Sequence, residues 1–270
     1  MANKISKKLY NGTIGIEFYP DSHRYKKEGE KTYLISVTAA TGIIDKSRFL
    51  IPWAVNLDFA HLRQFLESMT GHTLSPEEIY PVIDEACKQH TIRKEEAADI
   101  GSVVHDFAEN FAKFKTGQVA ICPEITDDLP EGAINGINAF LDWFNSNDVE
   151  FLNAEQLLYS KEHDYAGLAD AVAKVNGKHL LIDYKTGKAI YNEAHYQVAG
   201  YVMAHEEEFK TELDGALILN FDKETGLLKD VQEIGRDDIE KNKETFLNCL
   251  GVKRREKELN KAYYAKPLEA

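Results

Sequence analysis

The chain has 270 residues, of which 43% are hydrophobic and 29% charged, as is typical of a folded globular protein rather than a disordered or fibrous one. It contains neither the run of about 18–20 apolar residues that a membrane-spanning helix needs nor a secretory signal, so we expect a cytoplasmic protein without a membrane partner. The net charge of −13 disfavours a nucleic-acid partner but does not exclude one, because phosphate binding depends on the local field and a bound divalent cation adds positive charge.

The three cysteines indicate reduced thiols rather than a cofactor site. Cys87, Cys122 and Cys249 lie far apart, and no two of them form a CxxC pair. Such spacing fits neither a disulfide framework nor a zinc or iron–sulfur site. We therefore expect no iron–sulfur cluster.

The first half of the chain is predicted to contain short strands followed by helices. Alternating apolar residues between polar turns indicate strands, and apolar residues at three- and four-residue steps indicate helices. The predicted strands are 14–19, 24–26 and 32–35, and the predicted helices lie near 49–69, 76–90, 91–115 and 132–146. A loop is predicted over residues 117–131, which contain Gly117, Pro123 and Pro130.

The second half is predicted to form an α/β core. Strands are predicted at 154–160, 166–175, 178–185, 214–221 and 228–234, with helices near 190–209 and 236–260. This order predicts a mixed central β-sheet flanked by helices, with a mainly helical N-terminal elaboration. Because no linker is visible, we expect one domain over 1–270, with the N-terminal strands and helices in 1–150, the core in 151–235 and a C-terminal helix and tail in 236–270.

A predicted hairpin places two acids opposite each other. Asn176-Gly177 between two strand-like runs is a strong signal for a two-residue type I′ turn. In that register Asp170 lies opposite Asp183, with Cβ atoms about 4.5–5.5 Å apart. Strand alternation puts Lys185 on the face of Asp183 and points Tyr184 away from it.

Two facing carboxylates repel each other, and this pair follows the apolar run Leu180–Ile182. A bound divalent cation would resolve the repulsion, because Mg²⁺ binds through one or two carboxylates together with water and phosphate oxygens. Lys185 could then orient a water molecule and offset charge on a phosphate. The alternative is a solvated patch at a sheet edge, in which Lys185 bridges the two acids.

The motif Gly167-Leu-Ala-Asp170, followed by the apolar strand and Asp183-Tyr-Lys185, resembles the core of PD-(D/E)XK nucleases. The spacing of Gln197 and Tyr201 is similar to the QxxxY element of the RecB-like branch, and that of Gly101 and His105 to its GxxxH element. The resemblance covers roughly residues 33–205. Near its start, a looser similarity to phage exonucleases and to mitochondrial genome maintenance exonucleases is carried by segments 35–38 and 50–54.

The resemblance implies a restriction-endonuclease-like core that hydrolyses DNA with Mg²⁺ or Mn²⁺. It implies that Gln197 and Tyr201 position the catalytic residues and the DNA. It also implies that Asp170 and Asp183 bind the metal together with further ligands. The further ligands that it implies are His105, the Tyr184 backbone carbonyl and Glu155. Lys161 and Lys188 are candidate contacts to the DNA backbone.

A DNA exonuclease is the preferred hypothesis, because the combined motifs resemble processing exonucleases more than restriction enzymes. Three alternatives stay open: a catalytically silent nucleic-acid-binding protein on the same fold, an endonuclease, and a metal-dependent hydrolase that acts on a small substrate. DNA is the predicted partner, a recombination or replication protein is a further candidate, and the oligomeric state is left open.

Overall fold

The computed structural model describes the backbone of residues 4–264 and the side chains of residues 4–261. The described chain forms two compact units, one from residues 4–44 and 103–264 and the other from Asp45–Ser102. Whether the chain acts as one elaborated domain stays a prediction. None of the helices between residues 4 and 264 combines the length and the apolar character that crossing a lipid bilayer requires.

Apart from the first strand and the first short helix, the secondary structure follows the predicted order of strands and helices. The strands are β1 (Ile5–Leu9), β2 (Ile14–Tyr19), β3 (Arg24–Lys27), β4 (Ile35–Ser36), β5 (Val149–Ser160), β6 (Tyr165–Val175), β7 (Lys178–Lys185), β8 (Gly215–Phe221) and β9 (Leu228–Gly235). The helices are α1 (Val37–Thr41), α2 (Ser47–Ser68), α3 (Pro76–Ala86), α4 (Gln89–Lys115), α5 (Glu131–Ser146), α6 (Asn192–Phe209) and α7 (Arg236–Tyr264). Helices α2 and α3 belong to the smaller unit, and the boundary between the units falls within α4.

The larger unit contains a small antiparallel sheet and a six-stranded mixed sheet. The small sheet has the order β1-β2-β3, and the larger has the order β4-β6-β7-β8-β9 with β5 also paired to β6. Within the larger sheet β4 is parallel to β6 and β7 is parallel to β8, whereas the other pairs are antiparallel. The predicted α/β class, with a mixed sheet flanked by helices, is therefore confirmed.

Strand β7 is apolar along most of its length because both of its faces are covered. Leu180 and Ile182 pack in a cluster with Phe140 of α5, whereas Leu181 packs in a separate cluster with Val198 of α6. A strand that is buried on both sides reads as a continuous apolar run instead of an alternating one. The sheet therefore lies between two helical layers, α4 and α5 on one face and α6 and α7 on the other.

Two strand predictions need correction. β5 begins at Val149 rather than at 154, because Phe151 pairs with Ala173 and is buried, and an irregularity between Phe151 and Asn153 interrupts the alternation. Glu155 therefore lies inside this strand and not at its start. β1 was not predicted at all, since four of its five residues are exposed and its sequence carries no apolar alternation.

Smaller corrections concern boundaries of elements. The strand predicted over 32–35 is only the short β4 at Ile35–Ser36, preceded by an isolated bridge from Tyr33 to Lys26. The predicted helices 76–90 and 91–115 are separated earlier, because α3 ends at Ala86 and α4 starts at Gln89.

The β6–β7 hairpin has the predicted turn and register. Asn176 and Gly177 both have positive φ angles, 52° and 83°, as a type I′ turn requires. Five pairs follow in the predicted register, from Val175 opposite Lys178 to Ala171 opposite Ile182. The ladder ends there, one pair before the two acids.

Candidate active site

The site lies where β6 loses its pairing to β7. Residues 165–166 of β6 pair with β4, and residues 171–175 pair with β7. Between these pairings, Asp170 Oδ2 accepts a hydrogen bond of 2.6 Å from the Tyr184 backbone N–H. The Asp170 side chain, and not a backbone carbonyl, thus accepts the hydrogen bond just beyond the last pair of the ladder.

Asp183 and Lys185 lie on one face of β7, as predicted. Lys185 Nζ is 2.6 Å from Asp183 Oδ2, and the side chain of Asp183 is only 5% exposed. The contact is an ion pair without hydrogen-bond geometry, since Asp183 Oδ2 has no hydrogen-bond partner within residues 4–261. Burial and the neighbouring Asp183 carboxylate raise the pKa of Asp170 to about 7.

The predicted Gln–Tyr element of α6 contacts this ion pair. Gln197 Oε1 accepts from Lys185 Nζ at 3.3 Å, and Gln197 Nε2 donates to the Tyr201 hydroxyl at 3.1 Å. Tyr201 is buried, and its ring leaves no room for a side chain at Gly167, where an added Cβ would lie 2.5 Å from Tyr201 Cε1. The glycine of the GLAD motif is therefore needed for close packing of α6 on β6.

Tyr184 points to the opposite face of the sheet, as predicted. Its ring centroid lies 5.8 Å from those of Phe140 and of Phe221, in the layer formed with α5. The orientation leaves only its backbone near the acids, through the amide that binds Asp170. The Tyr184 carbonyl oxygen stays a predicted metal ligand.

His105 is carried by α4 and packs edge-on against Tyr184, with ring centroids 6.1 Å apart. Burial lowers the pKa of His105, and the Lys185 ammonium lowers it further, against the opposite influence of Asp183. A neutral imidazole of this kind is the form that binds a metal.

Glu155 adds a third carboxylate beside Asp170. Its φ angle of 48° is unusual for a residue inside a strand, and its carboxylate is 2.6 Å from Lys113 Nζ. Lys113 also pairs with Glu109, one turn earlier on α4. Burial, together with the charge of Glu155, raises the pKa of Glu109 to about 7.

Sequence reasoning did not identify Lys113 as part of this group. The available signal was the four-residue spacing of His105, Glu109 and Lys113, which puts them on one face of a helix. Of the two predicted DNA-contacting lysines, Lys161 lies in the exposed turn after β5, and Lys188 is exposed in the segment after β7.

The chain has no detectable relatives in two comparisons with known proteins. No family model matches it, and no curated protein does either. The assignment of its chemistry therefore depends on the geometry of the site itself.

The donor set fits a hard divalent cation. Within residues 4–261, no three His, Cys, Asp or Glu side chains are grouped as a complete metal site. Cations such as Mg²⁺ use one or two carboxylates and complete their shell with water and phosphate oxygens. Asp183 is buried, and its negative charge helps to raise the pKa of Asp170, so a cation between the two carboxylates would stabilise both.

Proposed function

We propose that the chain is a metal-dependent DNA exonuclease with a restriction-endonuclease-like core, similar to the RecB-like branch of the PD-(D/E)XK superfamily. The observation that carries the proposal is the meeting of Asp170, Asp183 and Lys185 where β6 and β7 separate. Two carboxylates that bind a divalent cation, with an ammonium beside them, supply the groups that phosphodiester hydrolysis requires.

Asp170 and Asp183 would hold Mg²⁺ or Mn²⁺, with His105, the Tyr184 carbonyl and Glu155 as further ligands. When bound, the cation lowers the pKa of a water molecule and stabilises charge on the phosphate and the leaving oxygen. A nitrogen ligand from His105 would favour Mn²⁺ over a site made only of oxygens. We therefore expect Mn²⁺ to support cleavage at least as well as Mg²⁺.

Side chains of the protein orient the attacking water and offset charge on the phosphate. Lys185 donates hydrogen bonds that orient the attacking water, and its positive charge offsets the negative charge that grows on the phosphate. Gln197 restrains the ammonium of Lys185, and Tyr201 holds Gln197 in turn. The water oxygen forms the new bond to phosphorus, the bond to the leaving nucleotide breaks, and the leaving oxygen takes up a proton.

The choice of an exonuclease over the alternatives has two supports. All three central residues are present, whereas a catalytically silent protein on this fold would be expected to lack at least one. The combined GxxxH, DxK and QxxxY motifs resemble those of processing exonucleases. Lys161 and Lys188 would supply contacts to phosphates, and such contacts would make DNA binding weaken as salt rises.

The test is digestion of end-labelled linear DNA and of circular DNA, each single- and double-stranded, with Mn²⁺, with Mg²⁺ and with EDTA. We expect linear DNA to be degraded from its ends with either metal, and no cleavage with EDTA. Cleavage of circular DNA would identify an endonuclease instead. Metal-dependent binding of DNA without cleavage would identify a silent binding protein, and the absence of both would leave a small substrate as the target.

A further inference from the structure

Asn220 on β8 has a fully buried side-chain amide. Its side chain is 0% exposed, and neither Oδ1 nor Nδ2 has a partner among residues 4–261. An amide has two donors and two acceptor positions, and burying it without a partner destabilises a fold. Such a residue calls for an explanation in the working state of the protein.

Elsewhere the same fold pairs its buried amides. Gln156 on β5 is 1% exposed, and its Oε1 lies 2.9 Å from Nδ1 of His205 on α6. Burial lowers the pKa of His205 to about 4, so this pair is a neutral hydrogen bond at ordinary pH. Asn220 therefore differs from a buried amide whose role is structural.

Asn220 is the direct neighbour of Lys185 across the parallel pair of β7 and β8. Both residues point towards α6: Ile218, two residues before Asn220, packs in the α6 cluster, as does Leu181, four residues before Lys185. Neighbouring strands are about 4.8 Å apart. The Asn220 amide is thus within reach of a lysine side chain that moves by a change of rotamer.

Lys185 has reason to move when a cation binds, an argument that depends on the proposed function. Its ammonium lies 2.6 Å from Asp183 Oδ2, the buried oxygen that a divalent cation would take. Two cations cannot share that position, because like charges at such distances repel strongly. The displaced ammonium then needs acceptors, and Gln197 Oε1 at 3.3 Å supplies one.

We propose that Asn220 is a positioning residue that accepts a hydrogen bond from Lys185 when a divalent cation takes over Asp183. The buried amide of Asn220 destabilises the metal-free protein. In the metal-bound site its hydrogen bond to Lys185 offsets that destabilisation and holds the Lys185 ammonium beside the reacting phosphate. Strain or unsatisfied groups that are kept for a functional state are known at active sites.

The test measures melting temperature without metal and Mn²⁺ affinity by calorimetry, in the full chain, for the nearly isosteric variant Asn220→Leu. Removing an unpaired buried amide should raise Tm by about 2–4 °C. Losing the acceptor for Lys185 should weaken Mn²⁺ binding about tenfold, the effect of one charge-assisted hydrogen bond. In a Lys185→Ala background, the same substitution should leave Mn²⁺ affinity unchanged.

Gln156→Leu is the matched control, because it removes a buried amide that has a partner. It should lower Tm by leaving His205 unpaired, and it should leave Mn²⁺ affinity unchanged. A structural role for Asn220 would make its variant behave in the same way.

The outcomes separate this inference from the proposed function. If Asn220→Leu leaves Mn²⁺ affinity unchanged, or lowers Tm, the role of Asn220 is wrong while the metal site stands. If the wild-type chain binds no Mn²⁺, the proposed metal site fails, and the inference fails with it. A rise in Tm together with weaker Mn²⁺ binding, both as expected, supports the role of Asn220.

Discussion

The two ends of the β6–β7 hairpin are held together in different ways. At the turn end, five backbone pairs and buried side chains such as Leu181 hold the strands together. At the other end the ladder has stopped, and a hydrogen bond from the Tyr184 amide to the Asp170 carboxylate spans the strands. Regular backbone pairing thus joins the strands at one end, whereas at the other end two carboxylates take part in a hydrogen bond and an ion pair instead.

Two glycines illustrate the same contrast. Gly177 at the turn has a φ of 83° and open space around it, so it is needed for its backbone conformation. Gly167 near the acids has no such φ but lies under the Tyr201 ring, so it is needed for space. If the two ends are separable, a substitution at one end should leave the properties of the other end unchanged.

The largest effect is expected for the ion pair of Asp183 and Lys185, at the end of the hairpin away from the turn. Lys185→Ala should slow single-turnover DNA cleavage by about 10³-fold, as does loss of one stabilising donor at a reaction centre, yet keep Mn²⁺ binding by calorimetry. Asp183→Ala should lose both DNA cleavage and Mn²⁺ binding. Lys178→Ala at the turn end of β7 is the control, because Lys178 forms an exposed ion pair with Glu233, and such pairs contribute little. Near-normal turnover by Lys185→Ala would remove that residue from the chemistry.

The next largest effect is expected on stability alone, in the paired part of the hairpin. Leu181→Ala, which truncates a fully buried side chain, should lower the free energy of unfolding in urea by about 2–5 kcal/mol. The folded fraction should keep the Mn²⁺ affinity of the wild type. A fall in Mn²⁺ affinity along with stability would show that the two ends of the hairpin are coupled and not separable.

A smaller effect is expected at Gly167, which lies on β6 near the acids. Gly167→Ala places a Cβ 2.5 Å from Tyr201 Cε1 and 3.0 Å from Val37 Cγ2. Overpacking of this kind costs about 1–3 kcal/mol, and a displaced Tyr201 should also slow cleavage through Gln197. Gly235→Ala is the control, since an added Cβ there meets nothing within 4 Å. Wild-type stability and rate in Gly167→Ala would contradict the packing argument.

The smallest effect is expected at the turn. Gly177→Ala forces an L side chain into the left-handed region and should cost about 1 kcal/mol in unfolding free energy. Cleavage per folded molecule should not change, because the turn lies at the far end of the hairpin. Reduced cleavage at an unchanged melting temperature would show that the turn influences the site.

Local sequence was sufficient for elements whose pattern is set by burial or by turn chemistry. The Asn176-Gly177 turn specified the register of β6 and β7, because only a type I′ turn joins these strands over two residues with that pair. Strand β7 was predicted to the residue, since its run is buried on both faces. β1 and the start of β5 were missed because their residues carry no such pattern.

The same division holds for the site. The short spacing of Asp183 and Lys185 predicted a shared face, and the helical spacing of Gln197 and Tyr201 predicted a second one. Neither spacing could predict that Gln197 meets Lys185, since that contact joins two elements. The pairing of Lys113 with Glu155 spans 42 residues of sequence and likewise needed the fold.

The sequence by itself determined the class of fold, the hairpin register and the central acids and lysine, because each follows from periodicity or from a tight turn among near neighbours. Only the tertiary structure decided where the β6–β7 ladder stops, which oxygen of Asp183 the lysine contacts, and that Asn220 lies buried beside the lysine with no hydrogen-bond partner among the described residues. These features depend on contacts between strands and helices that are distant in the chain, and no local pattern encodes such contacts.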